Sequence, residues 1–283
     1  MRTARRLIVA LALAALARPA AAQQRPLDTQ DPETIGAGRM MIEGGVDYSH
    51  AITYPLSGLK GNLWRVPMLG VNIGVGSIAD LQFYGGPYDT LSITGRDPAA
   101  PLAGSVTATG DSTHAVDDLR IGMKVRVLSE TARRPSFGIR FFTRLPNAKH
   151  ASGLGQDTTD FYGSLLAGKT VQSVRVVANL GFAIMPEPLR ADKQNDVLTY
   201  GLSFARAMTN EVELVGEFNG RVSTRSGAPP IGTESRGTLK LGGRYTRGPI
   251  RFDGGVFFGL TTLDPTIGLT TGVTYVFNAF TLP

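Results

Sequence analysis

Residues 118–128 read DLRIGMKVRVL, the clearest alternating segment of the chain. Every second residue in it is apolar, whereas Arg120, Lys124 and Arg126 share the intervening positions. Successive side chains of a β-strand point to opposite faces, so the stretch predicts a strand with one apolar and one charged face. A helix with this sequence would distribute its charges around the whole circumference.

The same alternation recurs along the chain. About twelve segments show it, centred near residues 44, 69, 80, 123, 140, 164, 178, 201, 216, 241, 255 and 272. We expect these strands to be about nine to twelve residues long, which suits tilted strands that cross a bilayer. Ordinary strands average about five or six residues.

The connectors between these segments are of two kinds. Long polar connectors are expected at residues 50–62, 85–116, 147–158, 185–195 and 223–236. Tight turns lie between them, and only the last hairpin has a short connector where a long one is due. Outer-membrane barrels combine short periplasmic turns with long outer loops and an even number of strands. The pattern predicts an all-β protein, a transmembrane antiparallel β-barrel of about 12 strands; a soluble β-sandwich is the alternative.

The N-terminus has the pattern of a secretory signal peptide. Three arginines among the first six residues precede an apolar run at residues 7–16, and three alanines at 20–22 match a cleavage site. The expected organisation is a cleaved signal peptide at 1–22, a polar leader at 23–36 and the barrel at 37–283. The leader is either disordered or inserted into the barrel lumen.

Cleavage changes the charge balance. The whole chain has 29 Lys and Arg residues, 23 Asp and Glu residues and a formal net charge of +6. Four arginines and no acid precede the expected cleavage site, which leaves 25 basic and 23 acidic residues, about +2. The high isoelectric point is therefore mostly a targeting signal, and we expect no nucleic-acid partner.

The last predicted strand ends in aromatic residues. Val273, Tyr275 and Phe277 share one face, and Phe280 follows. Such a closing strand resembles the signal read by the barrel-assembly machinery, which we expect as a partner during insertion. Outer-membrane lipid is the expected surrounding, and the expected location is the bacterial cell outer membrane.

Basic residues mark the charged faces of two consecutive predicted strands. If the apolar faces meet lipid, the side chains of Arg120, Lys124, Arg126, Arg140 and Arg144 project into the lumen. A basic wall of this kind favours anionic solutes. These five are the candidate lumen selectivity residues.

A salt-bridge network is the alternative interpretation of the inward charges. Glu217 is expected to face the strand that carries Lys240 and Arg244, so charge can be neutralised across strands. A barrel of 12 strands lies between filled eight-strand barrels and open 16-strand porins, and the sequence favours neither state. The lumen is therefore open, plugged by residues 23–34, or sealed by the connector at 85–116.

No residue constellation predicts an enzyme active site, a metal site or a cofactor site. His150 and Ser152 have the His-x-Ser spacing of barrel lipid hydrolases, in which the imidazole activates a serine nucleophile. Both residues fall in a predicted outer loop, and no acid stands at a persuasive spacing to orient the ring. His50 and His114 also fall in predicted loops, without metal-ligand partners nearby in sequence. We expect no enzyme.

Several short motifs resemble a known family. They are Arg144-Leu145-Pro146, Thr158-Thr159-Asp160-Phe161, Asn179-Leu180-Gly181-Phe182, Leu198-Thr199-Tyr200-Gly201-Leu202, Glu213-Leu214-Val215-Gly216-Glu217 and Gly272-Val273-Thr274-Tyr275-Val276-Phe277. Over roughly residues 40–280 these motifs resemble the outer-membrane family named for the meta-pathway of phenol degradation. The chain departs from the family's Pro-Thr-Gly-like turn, with Pro146-Asn147-Ala148 in its place. The resemblance implies a transporter-like barrel for hydrophobic or aromatic compounds, without catalytic residues.

The leading functional hypothesis is a channel or transporter that passes a small solute across the outer membrane, with the basic wall as its selectivity element. The first alternative is a non-conducting structural or binding barrel that acts through its outer loops. A barrel lipid hydrolase is the third.

Overall fold

The computed structural model describes residues 25–281 of the 283-residue chain. The predicted signal peptide and the first two residues of the predicted leader lie outside this range. The strands are β1 (Arg39–Tyr54), β2 (Leu59–Gly74), β3 (Ala79–Gly85), β4 (Asp89–Arg96), β5 (Ser112–Ala115), β6 (Arg120–Leu128), β7 (Ser136–Arg144), β8 (Asp160–Val171), β9 (Val174–Glu187), β10 (Arg190–Ala207), β11 (Val212–Ser223), β12 (Arg236–Arg247), β13 (Ile250–Gly259) and β14 (Ile267–Asn278).

The strands form one closed antiparallel sheet. β1 pairs with both β14 and β2, which closes the circle. β3 and β4 lie end to end along one side of β2, and β6 and β5 continue in the same way beside them. The described residues therefore form a barrel wall of 12 strand positions. The predicted all-β barrel of about 12 strands is confirmed.

The two faces of the barrel differ in chemistry. On β6, Ile121 and Val127 are exposed on the outer face, whereas Lys124 on the inner face is only 1% exposed. Leu165 on β8 and Leu180 on β9 are 65% and 55% exposed on the outside. An outer face of this kind matches lipid, and closure leaves no unpaired sheet edge in it. No helix in the described part of the chain is long and apolar enough to span a membrane.

The longest connectors lie at one end of the barrel, although two short ones, at 55–58 and 188–189, lie there too. The turns at 129–135, 172–173, 208–211 and 248–249 lie at the same end as the start of β1 and the end of β14. In outer-membrane barrels this is the periplasmic end. The connectors at 97–111, 145–159 and 224–235 lie at the opposite, outer end.

Three of the predicted long connectors are wrong. The connector predicted at 50–62 shrinks to 55–58, and the one predicted at 185–195 shrinks to 188–189, because the flanking strands continue outward. The segment predicted as a single loop at 85–116 contains β4 and β5. Residues 190–195 of β10 read RADKQN and have no alternating apolar face. In the other extensions, apolar residues such as Leu59 and Leu91 are buried instead of facing lipid, so these segments differ from the pattern that predicts membrane strands. Strand β10 accordingly reaches 18 residues instead of the expected nine to twelve.

The same extensions correct the placement of two histidines. His50 lies in β1 and His114 in β5, not in loops. The His114 ring stacks on Tyr88 with centroids 5.7 Å apart. Both are therefore strand residues near the outer end of the barrel.

Candidate functional site

The lumen contains the segment that precedes β1. Residues 25–36, here called the leader, run inside the barrel, and Leu27 and Ile35 are 7% and 1% exposed. Of the two states expected for this segment, the structure has the inserted one. The lumen, not a loop, is therefore the candidate site.

Three leader acids pair with basic side chains of the barrel wall. Asp28 lies 2.9 Å from Lys240, and Asp31 is bound by Arg175 through two short contacts of 2.7 and 2.8 Å. The third acid, Glu33, lies 2.6 Å from Arg126. The ion pair with Arg175 is bidentate, the geometry that suits a guanidinium and a carboxylate.

Wall side chains also satisfy the leader backbone. The Asp28 and Thr29 backbone N–H groups donate to the buried Glu217 carboxylate at 2.8 to 2.9 Å. Asn179 accepts from the Gln30 N–H at 2.7 Å and donates back to the Gln30 carbonyl at 2.8 Å. Backbone groups without a partner are costly inside a protein, so these contacts hold the leader in one register.

Lys124 is the second anchor of the leader backbone. Its ammonium group donates to the carbonyls of Asp31 and Glu33 at 3.0 and 2.5 Å and lies 3.6 Å from the Asp80 carboxylate. Asp80 in turn accepts from the Ile35 N–H at 3.2 Å. Lys124, predicted as a selectivity residue, therefore fastens the leader.

The first described residue of the leader carries the opposite charge. Arg25 lies 3.5 Å from Asp253 and 3.8 Å from Asp47. It also donates to Thr270 at 3.1 Å. The leader thus contacts the barrel wall on several sides.

The five predicted selectivity residues differ in their partners. All five side chains lie on the inner face, but Lys124 and Arg126 are occupied by the leader and its neighbours. Arg144 lies 2.6 Å from Asp118 and 2.6 Å from Asp160. Paired charges of this kind contribute little net field to the lumen.

Arg120 and Arg140 are less well compensated. The nearest carboxylate to Arg120 is Asp117, at 3.7 Å. Arg140 donates to Gln82 at 2.7 Å and lies 4.3 Å from the centroid of the Phe142 ring, and no carboxylate of residues 25–281 pairs with it. The structure therefore combines the two sequence interpretations: most of the wall is a salt-bridge network, and two arginines stand outside it.

The wall also contains residues that the sequence did not single out. Arg175 and Asn179 lie on the inner face of β9 and bind the leader. Their only sequence signal is that they alternate with apolar residues on one strand. The predicted pairing across β11 and β12 does occur, with Glu217 3.4 Å from Lys240.

A cavity lies in the lumen beside the leader. Its volume is about 180 Å³, and its wall comes from leader residues 28–30 and from β7 to β11. Arg140, Phe142 and Tyr162 line it, so an uncompensated cation and two aromatic rings share one space.

An apolar cluster lies above this region, near the outer end. Leu59, Leu63 and Leu91 are at most 1% exposed, and Leu154 from the connector at 145–159 packs against them. The connector at 97–111 is hydrogen-bonded to the connector at 145–159. The Thr107 N–H donates to the Ala151 carbonyl at 2.9 Å. The outer mouth is thus narrowed by loops, while the leader occupies the periplasmic half.

The His-x-Ser pair does not have the geometry of a nucleophile and its base. The Ser152 hydroxyl donates to the Lys149 carbonyl at 2.7 Å instead of to the imidazole. Nε2 of His150 lies 3.7 Å from Asp157, an acid that the sequence spacing did not suggest. Within residues 25–281 no group of three or more His, Cys, Asp or Glu side chains is arranged to hold a metal ion.

Comparison of the fold places the barrel among known proteins. No family model matches the sequence, and no curated protein sequence is detectably similar to it. The structure is similar to the crystal structure of the COG4313 outer membrane channel from Pseudomonas putida F1, with a TM-score of 0.65 and 12% identity. That similarity covers 89% of this chain and 100% of the other.

Two further barrels are similar at a lower level. The NanC porin has a TM-score of 0.51 at 8% identity, over 83% of this chain and 98% of that one. The translocator domain of the autotransporter NalP from Neisseria meningitidis has a TM-score of 0.50 at 12% identity, over 84% and 87% of the two chains. At such identities the similarity concerns the fold. The chain is therefore an outer-membrane β-barrel, located in the bacterial outer membrane.

Proposed function

We propose that this protein is an outer-membrane channel for small solutes whose passage is restricted by the leader. The observation that carries the proposal is the content of the lumen. A separable segment of chain fills its periplasmic half and is held mainly by ion pairs and hydrogen bonds, with a cavity beside it.

The comparison supports the proposal at the level of the fold. The barrel with the TM-score of 0.65 is described as an outer membrane channel. The same proposal includes three finer points: membership of the phenol meta-pathway family, a preference for hydrophobic or aromatic solutes, and insertion by the barrel-assembly machinery. Their support is the sequence motifs and the aromatic closing strand. We propose no catalytic activity.

Selectivity is assigned to the two inward arginines that stand outside the salt-bridge network. Arg120→Glu combined with Arg140→Glu should abolish or reverse a preference for anions, because charged groups that line a pore set its selectivity. The measurement is the reversal potential of the refolded protein in a planar bilayer under a salt gradient.

The matched control changes the same net charge outside the lumen. Arg133→Glu combined with Arg225→Glu alters two exposed residues of a turn and a connector and should leave the reversal potential nearly unchanged. Folded protein that inserts but never conducts would favour the alternative, a non-conducting barrel that acts through its outer loops. An equal shift in both double variants would contradict the assignment to Arg120 and Arg140.

A further inference from the structure

The cavity beside the leader has one apolar wall. The rings of Phe142 and Tyr162 are stacked, with centroids 4.3 Å apart and planes 6° from parallel. Leu166 on the same strand as Tyr162 is buried and lines the same space. A cavity of about 150 Å³ accommodates benzene, so a volume of about 180 Å³ has room for a single substituted ring.

Within residues 25–281, the same cavity contains an arginine without a carboxylate partner and one buried donor without an acceptor. Arg140 uses its Nε–H on Gln82 but pairs with no carboxylate of the described chain. Across the cavity, the side-chain nitrogen of Asn219 is buried without a hydrogen-bond partner, while its oxygen accepts from Thr238. Buried polar atoms normally have partners, so the Asn219 nitrogen indicates a ligand with a hydrogen-bond acceptor, and the unpaired charge of Arg140 indicates an anionic group.

Acidic groups of the cavity are already engaged. Asp28 is the only carboxylate that lines the cavity in residues 25–281, and it lies 2.9 Å from the Lys240 ammonium. The Glu217 carboxylate is turned to the leader backbone and to the same lysine. The local field near Arg140 is therefore positive.

We propose that this cavity is a binding site for a small monoaromatic carboxylate. The carboxylate binds the guanidinium of Arg140, since arginine is suited to two-point contacts with a planar anion. The ring packs against Phe142, Tyr162 and Leu166, and the Asn219 amide donates to the polar edge. This site deepens the proposed function, on which it rests, because it lies on the solute path beside the leader.

Calorimetric titration of the folded full-length mature chain in detergent tests the site. The probes are benzoate, benzyl alcohol and acetate, which separate the contributions of ring and charge. Wild type should bind benzoate saturably and more tightly than either other probe. Arg140→Gln should weaken benzoate binding at least about 10-fold, the loss expected for one charged hydrogen-bonded contact, and leave benzyl alcohol binding unchanged.

A second variant and a control distinguish loss of the binding site from misfolding of the protein. Asn219→Asp retains the acceptor for Thr238 but replaces the unpartnered donor with a negative charge, so benzoate binding should be lost. Arg65→Gln removes a lumen arginine that is paired with Asp89 and does not line the cavity, and it should bind benzoate like wild type. Each variant is first checked for native strand content by circular dichroism.

The site is contradicted if wild type shows no saturable benzoate binding, if acetate or benzyl alcohol binds as tightly, or if Arg65→Gln has the same effect as Arg140→Gln. Conductance is measured on the same preparations. Conductance without benzoate binding would contradict only the binding site. Benzoate binding without conductance would contradict only the channel function.

Discussion

A chain carrying Asp28→Asn, Asp31→Asn and Glu33→Gln should conduct several-fold better than wild type and prefer anions more strongly. The three leader acids would then lose their ion pairs with the barrel wall. Their partners are Lys240, Arg175 and Arg126, respectively. Hydrogen bonds to charged groups are worth about 1.5–3 kcal/mol each, whereas the Asp28 pair contributes only about 0–1 kcal/mol because its side chain is 69% exposed. Single-channel recording measures both effects.

The direction of the selectivity change is part of this prediction. Removing the acids leaves basic wall residues facing the lumen without their leader partners. The increase in conductance and the stronger preference for anions should therefore appear together. The control, Asp111→Asn with Asp192→Asn and Glu211→Gln, removes the same charge from exposed positions outside the lumen. An unchanged conductance in the leader variant, or the same change in the control, would argue against a leader held by charge.

Leu165→Arg should destabilise the barrel by about 2–4 kcal/mol, the cost of arginine at the bilayer midplane on the lipid face of a barrel strand. Leu165 lies at the centre of β8 and is 65% exposed on the outer face. Chemical unfolding in lipid vesicles measures the difference in free energy of unfolding.

Depth in the membrane provides the control for this substitution. Val212 is also exposed on the outside but lies at the periplasmic end of β11. Near the interface the cost of arginine falls to about 0–1 kcal/mol, so Val212→Arg should be nearly neutral. Equal effects at both positions, or no effect at Leu165, would mean that this face does not meet the centre of a bilayer.

The barrel wall was predictable where the membrane imposes its own pattern. Within the apolar band, each strand must present apolar residues to lipid and polar residues to the lumen, so the alternation in residues 118–128 reveals β6 directly. Beyond the band this requirement ends. The outer part of β10, with exposed Asp192 and Lys193, is held by backbone pairing and leaves no periodic signal.

The contents of the lumen were less predictable. Inward orientation of Arg126 follows from the strand pattern, but its partner Glu33 is 93 residues away in sequence and belongs to no periodic element. The same holds for Arg175 and Asp31, which are 144 residues apart. Such pairs depend on how the leader is threaded through a closed barrel, and single-strand periodicity contains no information about that.

Single-channel conductance of the chain without its predicted signal peptide, recorded with and without residues 25–36, shows directly whether the leader restricts a channel. Both forms are refolded, checked for native strand content and inserted into a planar bilayer. We expect a low conductance for the intact chain and a clearly larger, more anion-selective one for the deletion. If the deleted form folds and inserts but passes no more current than the intact chain, the leader does not restrict a channel.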